Sequence, residues 1–126
     1  MKRIVLFAAG LFFLHISCNT YTQGERIFQS KCANCHGMEG EGLADMYPAL
    51  SNSAYMKNRI SELPCIIING KYTLDKKGNK ISEMPPLPKM GDVELTNLIN
   101  YLQNRFSKNK PSAQLDSIVK WKKRCK

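Results

Sequence analysis

The chain has 126 residues, 43% of them hydrophobic and 9% aromatic, with a formal net charge of +9. That length allows one small domain at most, and so few aromatics give it a modest core that needs some further source of cohesion. The charge is a property of the ends: residues 108–126 hold seven Lys or Arg against the single Asp116, a net +6, while residues 19–107 carry only +1. No basic groove interleaved with aromatics runs through the middle, which argues against a nucleic-acid partner. The tail reads either as a contact for an acidic surface or anionic lipid headgroups, or as a solvated segment that keeps the chain soluble.

Residues 1–17 read as a secretory signal. Lys2 and Arg3 precede the apolar run Ile4 to Leu14, which at about eleven residues falls short of the roughly 20 needed to span a bilayer. The mature chain is therefore expected to be exported. The signal ends in LHISC, which resembles the box at which bacterial lipoproteins are cut and lipidated. Cys18 is the expected lipid site and residues 18–22 the linker after it. The box departs from its usual form in carrying His15 three positions before the cysteine, with Leu14 one step further back. The rival reading is an ordinary cleavable signal with Cys18 incidental.

TQGERIFQSKCANCHG reads as one helix, because Gly24, Phe28 and Cys32 recur every four residues beside Ile27 and Lys31, and Gly37 can end it. GMEGEGLADMYPALSN is rich in glycine and lacks periodicity, so it reads as a loop. AYMKNRI forms a helical turn or two. SELPCIIING suggests a short helix with Ser61 near the cap, Pro64 in the first turn and Gly70 past the end, a buried strand being the rival for its β-branched run. KYTLDKKGNKI places a turn cluster, Asp75 to Asn79, between two short extended pieces, as in a small hairpin. SEMPPLPKMG, with three prolines in four positions, is not expected to be regular. Asp92 then caps a helix whose Leu95, Leu98, Ile99, Leu102 and Phe106 form one apolar stripe. A tail helix restarts at Pro111, with Leu115, Ile118, Trp121 and Cys125 on one face.

The chemistry lies in KCANCHGMEGEG, Lys31 to Gly42. Structural zinc wants four protein ligands, commonly as two pairs; here no second pair exists, and His36 is the only histidine left after the signal. Thiol exchange wants its first cysteine at a helix N-terminus, whereas this pair ends a helix, where the dipole disfavours a thiolate. The third chemistry is covalent haem, for which C-x-x-C-H is the attachment pattern. Two thiols reach two vinyl groups on one edge of the macrocycle, and the adjacent histidine turns its imidazole under the iron. Export agrees with this, since thioether haem proteins mature outside the cytoplasm.

Residues from about 21 to 107 resemble a class I cytochrome c of the bacterial monohaem type. Gly24, Phe28 and Cys32 match the family's first helix, with a glycine and an aromatic four apart leading into the haem cysteines. Leu98 and Tyr101 match the leucine and aromatic of its last helix, and Pro48 and Leu50 in PAL match the loop after the haem motif. The resemblance implies an all-α class I cytochrome c fold, with N- and C-terminal helices crossing over one covalently bound haem c, loops and a possible small hairpin. The haem domain spans 23–107 and the basic tail 108–126. It implies thioethers at Cys32 and Cys35, His36 as one axial ligand, and the Pro48 carbonyl accepting that histidine's other N–H, which raises its basicity.

The family's second axial ligand lies in an M-P-P-like segment, here Met84 in EMPPLP. Met90 is the rival; two residues before the expected cap, it sits where an apolar residue commonly packs on a helix's first turn. Met38, Met46 and Met56 read as filler or surface. With Cys18, Cys32 and Cys35 assigned, Cys65 and Cys125 remain and can pair; the alternative is two unrelated thiols.

The function implied is a monohaem carrier of single electrons, tethered by lipid on the periplasmic side of a bacterial membrane. It would work between redox protein donors and acceptors such as a dehydrogenase or a terminal oxidase. One rival makes the chain the haem subunit of a larger oxidoreductase, with the tail helix as docking element. The other is a haem enzyme with an open sixth site for peroxide or gases.

Overall fold

The computed structural model describes residues 20–44, 46–51, 53–107 and 112–125. The expected signal, Cys18 and Pro111 lie outside the described residues. No helix among those described is long and apolar enough to cross a membrane.

Two helices make the framework. α1 (Thr20–Lys31) and α5 (Asp92–Phe106) lie against each other more extensively than any other pair of elements. The apolar stripe explains the packing: Phe28 from α1 and Leu95, Leu98 and Ile99 from α5 are fully buried, with Tyr101, Leu102 and Phe106 beside them. Phe28 contacts the rings of Tyr101 and Phe106 with centroids 5.4 and 5.6 Å away. Where α1 and α5 approach most closely, Gly24 leaves no room for a side chain. α1 begins at Thr20, so residues 20–22, expected as linker, are helical.

The expected single helix through the cysteines is two. α1 stops at Lys31, Cys32 takes φ −120° and ψ −39°, and a one-turn α2 (Ala33–His36) follows. Its first turn is tightened, the amides of Cys35 and His36 both donating to the Cys32 carbonyl at 3.1 and 3.0 Å. α3 (Ala54–Lys57) is capped by Ser53, whose Oγ accepts from the Met56 N–H at 3.2 Å. A short 3-10 turn (Ile60–Glu62) leads into α4 (Leu63–Asn69), with Pro64 in its first turn and Gly70 after its end. The β-branched run is therefore helical.

β1 (Lys71–Leu74) and β2 (Lys80–Met84) pair antiparallel as a two-stranded hairpin, in register Tyr72 with Ser82, Thr73 with Ile81 and Leu74 with Lys80. The Asp75 carboxylate builds the turn, accepting from the Lys77 and Asn79 amides at 2.8 Å each. β2 runs through Ser82 and Glu83 to Met84, which corrects the expectation that this stretch is irregular. The residue before a proline is biased toward extended backbone, so Met84 before Pro85 continues a strand without cost.

The start of α5 also differs by one position. Gly91, not Asp92, is the N-cap, in extended conformation, and the Glu94 carboxylate accepts from its N–H at 3.0 Å. Asp92 becomes a first-turn acid, favourable at that end of the dipole.

The tail helix α6 (Leu115–Lys122) is shorter than expected, with Gln114 at its cap. It packs on α5 and α4. Ile118 is fully buried, and Asn100 of α5 holds the approach to α6 twice: its Nδ2 donates to the Ala113 carbonyl at 3.1 Å and its Oδ1 accepts from the Ala113 amide at 2.7 Å. Cys65 of α4 and Cys125 are joined by a disulfide across a sequence separation of 60. Closing a loop of that size is worth up to roughly 4 kcal/mol in the chain-entropy account. Alkylation of the denatured, unreduced holoprotein is expected to label neither residue; two labelled thiols would show that the bridge does not form.

Candidate haem site

Cys32, Cys35 and His36 occupy the single turn after α1, and residues 37–50 fold back over that turn. The returning loop is held mainly by backbone bonds. Gly42 N–H donates to the His36 carbonyl at 2.7 Å, Leu43 N–H to Tyr47 at 2.8 Å and Leu50 N–H to Gly40 at 2.8 Å. Gly42 permits this because its φ is +74° and because a Cβ there would lie 2.2 Å from the Tyr47 carbonyl. Gly40 is likewise pressed against the Phe106 ring. An ion pair between Glu39 and Arg105 ties the same loop to the end of α5.

This return brings Pro48 to His36. The imidazole Nδ1 lies 3.3 Å from the Pro48 carbonyl oxygen. A carbonyl can only accept, so the proton sits on Nδ1, and Nε2 presents its lone pair away from the backbone. That is the tautomer a metal-ligating imidazole needs, with its orientation fixed from behind.

Cys32 and Cys35 are half-buried thiols in no disulfide. Burial pushes the Cys32 thiol up to about 11, Lys31 pulling the other way and losing. A thiol that stays protonated is a poor exchange nucleophile, which weighs against the thiol-exchange reading. Zinc fares no better, because the disulfide consumes Cys65 and Cys125 and no group of three His, Cys, Asp or Glu among the described residues is placed to hold a metal ion. Two reduced thiols three residues apart on one turn, beside an imidazole with a free Nε2, fit covalent haem.

Two of the remaining methionines differ from each other in a useful way. Met84 ends β2 half-buried, resting on the edge of the core, whereas Met90 is 6% exposed and belongs to the core. Met38 and Met46 lie on the surface, and Met56 is buried beneath α5, its carbonyl accepting from Ser107 Oγ at 2.7 Å. The glycine loop's staples and the contacts of Lys122 with Met90 and Asp92 escaped sequence reasoning. For the loop, the spacing of Gly37, Gly40 and Gly42 was the one available signal.

A search of the curated proteins found no match. A family model for cytochrome c matches residues 21–105, a stretch that includes Cys32, Cys35, His36, Pro48 and Met84 and leaves out the tail helix. The match covers more than half of the chain and agrees with the chemistry of the turn after α1. The chain belongs to the cytochrome c family and is a haem-binding electron-transfer protein, of a kind that carries covalently bound haem c.

Proposed function

We propose that this chain is an exported monohaem carrier held at the periplasmic face of a membrane by lipid on Cys18, passing single electrons between redox proteins. The observation that carries the ligand assignment is the 3.3 Å contact between His36 Nδ1 and the Pro48 carbonyl. Haem c, bound through Cys32 and Cys35, supplies the one-electron ferric and ferrous couple. His36 Nε2 and the Met84 thioether would hold its iron. With both residues bound to it, small oxidants would find no free site, and the thioether would favour the reduced form.

Met84 is preferred to Met90 on the strength of packing. A side chain buried in the core at the foot of α5 is committed to that core, while Met84 keeps one side open. The absorption spectrum of the oxidised holoprotein tests the choice. Met84→Ala is expected to abolish the weak far-red band of sulfur–iron ligation. Met90→Ala is expected to keep the band and to lose about 2–5 kcal/mol of stability, as buried methionines do. A band that survives Met84→Ala and vanishes in Met90→Ala reverses the assignment, and rapid carbon monoxide binding by the reduced wild-type protein would favour an open sixth site.

The packing of the tail supports a free carrier over a subunit of a larger oxidoreductase. Part of the apolar face that a docking helix would need is spent on the chain's own α4 and α5, through Ile118 and the bridge at Cys125 just past the helix, while Leu115 stays 44% exposed. Beside Leu115, what α6 and the residues just after it offer outward is charge, from Lys120, Lys123 and Arg124. Transient encounters between carriers are steered by charge rather than by large apolar interfaces.

A further inference from the structure

The stretch from Met84 to Met90 contains Pro85, Pro86 and Pro88, three residues without a backbone donor. It cannot hold its shape by its own hydrogen bonds, and it is held from outside at both ends. Upstream, Leu87 N–H donates to the Ile67 carbonyl of α4 at 2.8 Å, and Gly70 sits so close to the Met84 carbonyl that a Cβ would fall 2.5 Å from it. Downstream, the Lys122 ammonium of α6 donates to the Met90 carbonyl at 3.3 Å and pairs with the Asp92 carboxylate at 2.6 Å. The two supports meet in one element. α6 grips the downstream end directly through Lys122, and it is bonded through Cys125 to Cys65 in α4, the helix that supports the upstream end.

We propose that the C-terminal helix α6 is a clasp that keeps the Met84–Met90 segment closed, with Lys122 as its positioning residue and the Cys65–Cys125 bridge as its anchor. The inference rests on the reading of Met84 as iron ligand for its functional consequence, but the clasp itself is a statement about the segment. A thioether is a weak ligand, so its occupancy depends on how firmly the chain presents it. Freed of α6, the segment loses the brace at Met90, its hydrogen bond from Leu87 to Ile67 opens more often, and the thioether leaves more often. The tail thereby sets whether the sixth site is shut.

The test uses the holoprotein, with Lys122→Ala, Lys122→Arg and the double variant Cys65→Ser, Cys125→Ser. Hydrogen exchange at the Leu87 amide reads the clasp, and exchange at the buried Leu98 amide in α5 reports global unfolding. Lys122→Ala is expected to speed Leu87 exchange by about tenfold or more, the factor expected from losing a hydrogen bond to a charged group, with Leu98 unchanged. The bridge-less variant, which also loses the loop-closure contribution to global stability, is expected to speed Leu87 more than Leu98. Lys122→Arg is expected to restore the wild-type rate. The far-red band should weaken and carbon monoxide should bind the reduced variants faster, in the same order. Unchanged Leu87 exchange in Lys122→Ala, or equal acceleration at Leu87 and Leu98, overturns the clasp. A far-red band missing from the wild-type protein overturns the Met84 ligation instead, and the exchange rates still decide on the clasp.

Discussion

Gly24→Ala is expected to destabilise the holoprotein, and Gly24→Leu to prevent it from folding around its haem. Helix propensity alone argues for the opposite sign. Replacing a glycine inside a helix such as α1 with alanine should stabilise by about 0.5–1 kcal/mol, because the unfolded chain has less freedom to lose. At this position the added Cβ meets the Asn97 carbonyl oxygen at 2.2 Å and the Tyr101 Cβ at 2.7 Å. The first of these is backbone inside α5 and cannot rotate aside, so α1 must back away.

Backing away loosens what surrounds the contact. Gln23 Oε1 accepts from Asn97 Nδ2 at 2.8 Å, and the Tyr21 and Phe28 rings lie 5.1 and 5.4 Å from that of Tyr101. Overpacking of this kind costs typically 1–3 kcal/mol, sometimes more, which outweighs the propensity gain. The measurement is the guanidinium midpoint of the holoprotein, and the sign alone is decisive. An alanine variant as stable as wild type would mean that the two helices do not approach as closely as Gly24 implies.

That same glycine shows how much could be read in advance. Gly24, Phe28 and Cys32 share one helical face, and the stripe of α5 was visible as a spacing of three and four, because burial of one face writes itself into the chain as a period. CANCH was legible for a different reason: the chemistry needs those residues at that spacing. Less legible were features that depend on backbone geometry. Nothing in the side-chain pattern marks the break at Cys32, where the helix stops and restarts within one residue.

The loop 37–50 reads as bare glycine-rich connection, since the main-chain bonds and the Glu39–Arg105 pair that order it leave no periodic trace. The pattern favours Asp92 as the cap because its side chain is the better capping group, yet Gly91 occupies the position and Asp92 serves Lys122, thirty positions away. Contacts at such separations are set by the tertiary fold and cannot be seen locally.

The largest effect expected of any substitution in the motif is that of Cys32→Ala with Cys35→Ala, which should leave a chain with little helix and no retained pigment. The described structure has one well-packed interface, α1 on α5, with α6 closing it. Outside it, apolar residues stand in solvent: Leu43 and Met46 in the loop over the motif are 55% and 71% exposed, and Leu74 and Ile81 of the hairpin 62% and 53%. These pieces bury too little of their own surface to offset the entropy of ordering them. A large flat apolar cofactor held at the motif would add contact area that these pieces lack.

The covalent links make that contribution permanent, because a tethered group rebinds from a high effective concentration whereas a free one dissociates and dilutes. Helical circular dichroism of the purified double variant, compared with wild type, reads the first effect. Extraction into acidified organic solvent reads the second, and should strip pigment from the variant and not from the wild type. Full helical signal in a colourless double variant would show that α1, α5 and α6 hold together unaided. In that case the haem contributes the redox couple but not the fold, and Gly24 should then cost the same in the apoprotein as in the holoprotein.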